Sequence, residues 1–253
     1  MFPVEIRNVK IGEGIPKVCA PIVGETRNEI LAQAELICRL PLEIVEWRAD
    51  YFEAVNNICE VQDILNELRE ILGNKIILFT YRTKAEGGNG ECGSDEYCSL
   101  NLSILGLDTV DMLDIEAFHD EYDKTEIIAK AKMREKKIVL SYHNFEETPP
   151  KEELINRMCR MQEMHADIIK IAVMPKTEKD VKVLMDATKE MYIKYAKSPL
   201  VTISMGKLGV VSRICGESFG SAISFGNVGQ SSAPGQIDAE VLFNILRKKH
   251  ENI

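Results

Sequence analysis

Among its seven cysteines the sequence holds no CxxC pair, and their number is odd. Cys19, Cys38, Cys59, Cys92, Cys98, Cys159 and Cys215 are scattered through apolar segments, which argues against a disulfide framework and against a structural zinc site. Only four histidines occur, in neither an HxH nor an HExxH spacing, so a metal-dependent hydrolase would lack its ligands. No window approaches the roughly 20 apolar residues that span a bilayer. The opening MFPVEIRNVKIGEGIPK has neither a basic nor an apolar leader region, and a soluble, cytoplasmic protein is the expectation. An excess of positive charge is also missing. With 31 Lys and Arg against 40 Asp and Glu, the net charge of −9 disfavours nucleic acid and anionic lipid and leaves a small molecule as the expected partner.

What is present is a rhythm. Apolar, β-branched runs recur at 17–23, 43–48, 75–81, 109–116, 137–143, 167–173, 199–205 and 222–227. Between them lie charged stretches with apolar residues at helical spacing, such as NEILAQAELICRL, VQDILNELREIL and EKDVKVLMDATKEMYIKY. Strand–helix units of roughly 30 residues call for parallel strands with right-handed crossovers, and a run of eight closes into a barrel of about 250 residues. The expectation is an α/β fold, a (β/α)8 TIM barrel forming a single domain over residues 1–253; an open doubly wound sheet is the alternative. Period-two alternation in VEIRNVKIG predicts an N-terminal β-hairpin closing the bottom of the barrel.

Chemistry in such a barrel sits at the C-terminal ends of the strands. Lys170 lies inside DIIKIAV, on one strand face with Ile168 and Ala172, while Ile169 and Ile171 face the other way. If that face is the barrel interior, desolvation lowers the amine's pKa toward neutrality and yields a nucleophile for a ketone. The alternative is a lysine whose head reaches solvent or a carboxylate. His143 ends the preceding strand, 27 residues earlier, so topology brings the two together. A histidine titrating near neutral pH can remove a proton and return it. Glu86, in YRTKAEGGNG, can orient His143 or be a solvated loop residue. Glu46 and Arg48 share a strand face and Arg82 ends the next strand; they can receive a polyhydroxylated ligand or form a structural ion-pair network. Arg213, with Ser232 and Gln236 of QSSAPGQ, supplies a guanidinium, a hydroxyl and an amide suited to a carboxylate. His119 and His165 are assigned structural roles. Lys207 belongs to no GxxxxGK[ST] run.

Taken in order, EWR at 46–48, R-x3-EGG at 82–88, SYH at 141–143, the IIKIA lysine, MG-x2-G-x2-SR at 205–213 and S-x-PGQ at 232–236 resemble the type I 3-dehydroquinate dehydratases. The resemblance implies a cofactor-free, metal-free dehydration of 3-dehydroquinate to 3-dehydroshikimate in the shikimate pathway by a homodimer. Carried over, Lys170 is the Schiff-base nucleophile, His143 the general acid and base, and Glu86 the carboxylate that holds it. Glu46, Arg48 and Arg82 would contact substrate hydroxyls and Arg213 the carboxylate, Ser232 and Gln236 would close over it, and Met205 and Phe145 would pack against the ring. Two positions depart from the pattern: Asn144 stands where many members have Asp, and Pro21 where some have a hydroxyl residue. A class I aldolase-like barrel also uses a strand lysine, but Glu46 would repel its phosphorylated substrate. A non-catalytic binding barrel would have little use for a buried amine.

Overall fold

The computed structural model describes residues 2–119 and 124–252; positions 120–123 of the AFHDEYD loop lie outside them. The first two strands, β1 (Val4–Ile6) and β2 (Val9–Ile11), form the antiparallel hairpin that the alternation predicts. Arg7 and Asn8 both take positive φ, 45° and 66°, the backbone that a tight two-residue turn between twisted strands requires. Ile6 and Ile11 point from the hairpin into the barrel's inner core beside Ile44, Ile76, Met112 and Ile168, plugging its N-terminal end.

All eight predicted strands are present, each within a few residues of its expected bounds: β3 (Lys17–Ile22), β4 (Ile44–Arg48), β5 (Ile76–Thr80), β6 (Met112–Glu116), β7 (Lys137–Asn144), β8 (Ile168–Val173), β9 (Leu200–Ser204) and β10 (Ile223–Asn227). They pair parallel in chain order from β3 to β9, with β10 joined to β3 and a two-residue β11 (Ile237–Asp238) added beside β10. The seam between β9 and β10 is narrow. Leu200 bridges Ser221, the Ala222 N–H donates to the Leu200 carbonyl at 2.7 Å, and the Thr202 N–H donates to Ser221 Oγ at 3.0 Å. The sheet therefore curls into the barrel rather than opening as a doubly wound sheet.

Helices cover the outside, and each forms for a local reason. In α1 (Arg27–Cys38) Thr26 and Glu29 make a capping box that satisfies free N–H groups of the first turn. Along α2 (Ile58–Leu72), Val61, Ile64, Leu65, Leu68 and Leu72 form one buried stripe at helical spacing. The circuit continues with α3 (Ser94–Ile104), α4 (Lys124–Met133), α5 (Lys151–Glu163), α6 (Glu178–Lys194), the short α7 (Val210–Ile214) and α8 (Gly216–Phe219), and α9 (Ala239–His250). Period-two alternation divides the strands between two cores. Ile169, Ile171 and Val173 face the helices, whereas Ile168 and Ala172 face the barrel interior, so Lys170 between them points inward.

Candidate active site

All nine residues singled out in the sequence line one cleft at the C-terminal mouth: Glu46, Arg48, Arg82, Glu86, His143, Lys170, Arg213, Ser232 and Gln236. Phe145 and Met205 line it too. Lys170 is buried at its floor. Its Nζ donates to Asp114 Oδ2 at 2.9 Å and to Glu46 Oε1 at 3.3 Å, and lies 4.6 Å from the centre of the Phe225 ring. On the neighbouring strand β7, two residues beyond the Ser141 that pairs with Lys170, His143 turns Nδ1 to Glu86 Oε2 at 2.8 Å. Glu86 ends a single 3-10 turn, Lys84–Glu86, whose chain then reverses through Gly87 in the left-handed region at φ 78°. A Cβ at Gly87 would stand 2.2 Å from the Phe145 ring, so glycine lets the loop carrying Glu86 pass beneath that ring.

Behind these groups runs a buried ion network. Arg82 donates through one nitrogen to Asp114 at 2.6 Å and through the other to Glu116 at 3.2 Å, Ser141 Oγ at 3.0 Å and Glu86 at 3.3 Å. Asp50 grips Arg48 through two bonds of 2.8 Å and accepts the backbone N–H groups of Arg82 and Asn89, tying the β4 arginine to the Glu86 loop. Arg213 is different. It is 2 % exposed and donates to the carbonyls of Phe225 and Pro234 at 3.2 and 3.1 Å, but among the described residues no carboxylate meets it and its Nε has no partner. Burial pulls its pKa down to about 10. An unneutralised guanidinium in a cleft is an anion receptor.

The protonation states depart from two expectations. Burial pushes the Lys170 amine down, as anticipated, but Asp114 and Glu46 outweigh burial and raise its pKa above the ordinary value. The resting lysine is an ammonium, not a free amine. His143 does not titrate near neutrality: burial, then the charges of Arg82 and Lys170, hold it well below its ordinary value. Burial raises Glu86 to about 8, because Arg82 is shared with Asp114 and Glu116, whose own charges oppose ionisation. With Glu86 protonated and His143 neutral, Oε2–H donates to Nδ1 and the imidazole keeps its own proton on Nε2; ionising Glu86 moves the ring proton to Nδ1. Asp114 is held well below the usual carboxylate range, burial being overcome by Arg82 and Lys170.

The matching family model is the Type I 3-dehydroquinase, over residues 18–253. The chain belongs to that family. It is 48% identical over 250 residues to the 3-dehydroquinate dehydratase of Clostridium novyi, covering 99% of each chain. The crystal structure of the Clostridium difficile type I 3-dehydroquinate dehydratase, solved with covalently modified comenic acid, superposes with a TM-score of 0.94 at 45% identity, covering 99% of this chain and 98% of that one. The Enterococcus faecalis 3-dehydroquinate dehydratase structure gives 0.90 at 42%, covering 97% and 99%.

Within this family frame, the two departures have structural accounts. Asn144 turns away from His143; its Oδ1 accepts the N–H groups of Glu146 and Glu147 at 2.9 and 3.0 Å and its Nδ2 donates to the Tyr142 hydroxyl. Pro21 is buried in β3 and brings no hydroxyl to the mouth. His165 occupies the left-handed region after α5, at φ 65°, and His119 offers its carbonyl to Lys124, both consistent with structural roles. Asp50, Asp114, Glu116 and Ser141 escaped the sequence reading. A signal for two of them existed: in DMLDIE, Asp114 and Glu116 alternate with apolar residues on the face of Met112, which is inward.

Proposed function

We propose that this chain dehydrates 3-dehydroquinate to 3-dehydroshikimate through a Schiff base on Lys170, the third step of the shikimate pathway. The observation that carries the reading is the convergence in one cleft of a buried lysine, a His–Glu pair and an arginine that meets no carboxylate among the described residues. Arg213 takes the substrate carboxylate. Glu46 and Arg48, whose Nη1 makes only a long 3.5 Å bond to the Ser232 carbonyl, take hydroxyls, while Arg82 serves mainly as the hub that keeps the carboxylates in place. Ser232 and Gln236 bond to each other across the last loop, Gln236 Oε1 accepting from the Ser232 N–H at 2.9 Å and Gln236 Nε2 donating to Ser232 Oγ at 3.0 Å, which stiffens the wall closing over the ligand.

Lys170 first passes a proton to His143 Nε2 in the form of the pair in which Glu86 is ionised and accepts from Nδ1–H, since only then does Nε2 carry a lone pair. The amine attacks the C3 carbonyl carbon; the carbonyl oxygen collects two protons and leaves as water, and the iminium withdraws electrons from C2. His143 removes the C2 proton, the enamine expels the C1 hydroxyl, and His143 returns the proton to the departing water. Hydrolysis of the imine frees Lys170. The residues themselves supply the electron sink and every proton transfer. A cytoplasmic homodimer completes the reading, supported by the family resemblance, the free cysteines and exposed Leu208, Val211 and Val241; among the described residues no helix is long and apolar enough to cross a membrane.

The test is intact-protein mass spectrometry after mixing with 3-dehydroquinate and borohydride, alongside an ultraviolet assay for the conjugated product. Product with an adduct mapped to Lys170 is expected. Lys170→Ala loses both; His143→Ala keeps the adduct and stalls. Folded protein giving neither product nor adduct would sink the assignment, and product without adduct would discard the Schiff base.

A further inference from the structure

Asp114 belongs to none of the roles above, yet it touches the reacting nitrogen. Its side chain is fully buried and does not line the cleft, so no substrate atom competes for it. One oxygen accepts from Lys170 Nζ at 2.9 Å; the other accepts from Arg82 at 2.6 Å and from Ser141 Oγ at 2.5 Å. The carboxylate is therefore locked in place by two neighbouring elements before any ligand arrives. Glu46 also reaches Nζ, but from farther away, at 3.3 Å, and as a cleft-lining residue it is drawn off by substrate hydroxyls.

We propose that Asp114 is the counter-ion of the Lys170 iminium, holding the positive charge on Nζ through the imine steps. The inference rests on the dehydratase reading above. Its logic is the charge balance of imine formation: an ammonium and a ketone become an iminium and one water, with the C–O bond broken, the C–N bond formed and the single positive charge kept at nitrogen. Only the amine and carbinolamine between them are neutral. A fixed carboxylate beside Nζ favours the charged state at both ends, and the charged imine alone is the electron sink that makes the C2 proton acidic. The other groups around Nζ do not replace it. Cys19 on β3 is a buried thiol kept protonated, Glu46 is given over to substrate, Arg82 has the wrong sign, His143 is neutral, and Phe225 offers only its ring.

The experiment is the pH profile of kcat for Asp114→Asn against the wild type, with borohydride trapping at each pH. The expected variant still gives the Lys170 adduct, turns over more slowly at neutral pH, and has its alkaline limb moved to lower pH by about one to three units, the effect of an opposite charge at this range. A limb that stays in place in a folded, adduct-forming variant would overturn the counter-ion role, since loss of packing alone does not move a titration. Should the variant fail to fold, wild-type enzyme with 15N-labelled lysine decides. With 3-dehydroshikimate its Lys170 resonance should remain that of a protonated iminium well into alkaline pH, and a neutral imine at neutral pH would refute the proposal. Wild-type protein lacking both turnover and adduct would remove the dehydratase reading instead.

Discussion

At the scale of single residues, the cleft is a set of charges whose states are decided by their neighbours. Glu86 shows this best. In the unfolded chain it ionises near its ordinary 4.5, while in the fold burial keeps its proton to about 8. Its contribution to stability is thus fully present below pH 4.5, declines as pH rises through that window and is lost above about 8. Glu86→Gln has no such proton to lose. Urea denaturation at about pH 5 and about pH 8.5 should show the wild type losing more stability on the alkaline side than the variant. Parallel pH slopes would contradict the buried, protonated state. The same variant is expected to lower kcat, because an amide no longer shares a proton with His143. Lys170 and His143 were readable one residue at a time, from a lysine in an apolar strand and a histidine one βα unit before it. Their charge states were not, because Asp114, 56 residues away from Lys170 in sequence, is what keeps the amine protonated.

At the scale of elements, the barrel places each group by strand alternation and each helix by close approach to its strand. The contact of β10 with α9 is one example. A Cβ at Gly226 would lie 2.6 Å from the Ala239 Cα and 3.0 Å from its Cβ, so α9 rests directly on the strand backbone. Gly226→Ala is expected to destabilise by about 1–3 kcal/mol through overpacking, measured by urea unfolding. Gly93→Ala, whose Cβ would find nothing nearer than Glu96 Oε2 at 3.9 Å, should stay within about 0.5 kcal/mol of the wild type. Equal effects would show that the helix can withdraw from the strand without cost. Long amphipathic helices such as α2 were legible because their apolar residues repeat at helical spacing. The helix α3 is harder to read, since its buried face is Tyr97, Asn101 and Ile104 rather than an aliphatic stripe.

At the scale of the whole molecule, closure of the barrel depends on one weak joint. The β9–β10 seam has a side chain, Ser221, standing in for a ladder partner of the buried Thr202 N–H. Ser221→Ala leaves that N–H unsatisfied, which costs about 1–3 kcal/mol. Hydrogen exchange should quicken at Thr202 and its seam neighbours while β4 to β7 stay protected; unchanged exchange at Thr202 would mean that the seam does not rely on the serine. Arg213 emerges from the helix after β9 and touches the carbonyls of Phe225 and Pro234, so the anion receptor is built across this joint. By itself the sequence determined the strand–helix order, the alternation of faces along each strand and the motif residues, because periodicity and spacing are local properties that the barrel only repeats. Whether Lys170 is charged, whether His143 is neutral, and which arginine of the cleft meets no carboxylate among the described residues were decided by the tertiary structure alone, because burial and Coulomb energy depend on groups brought together from distant strands.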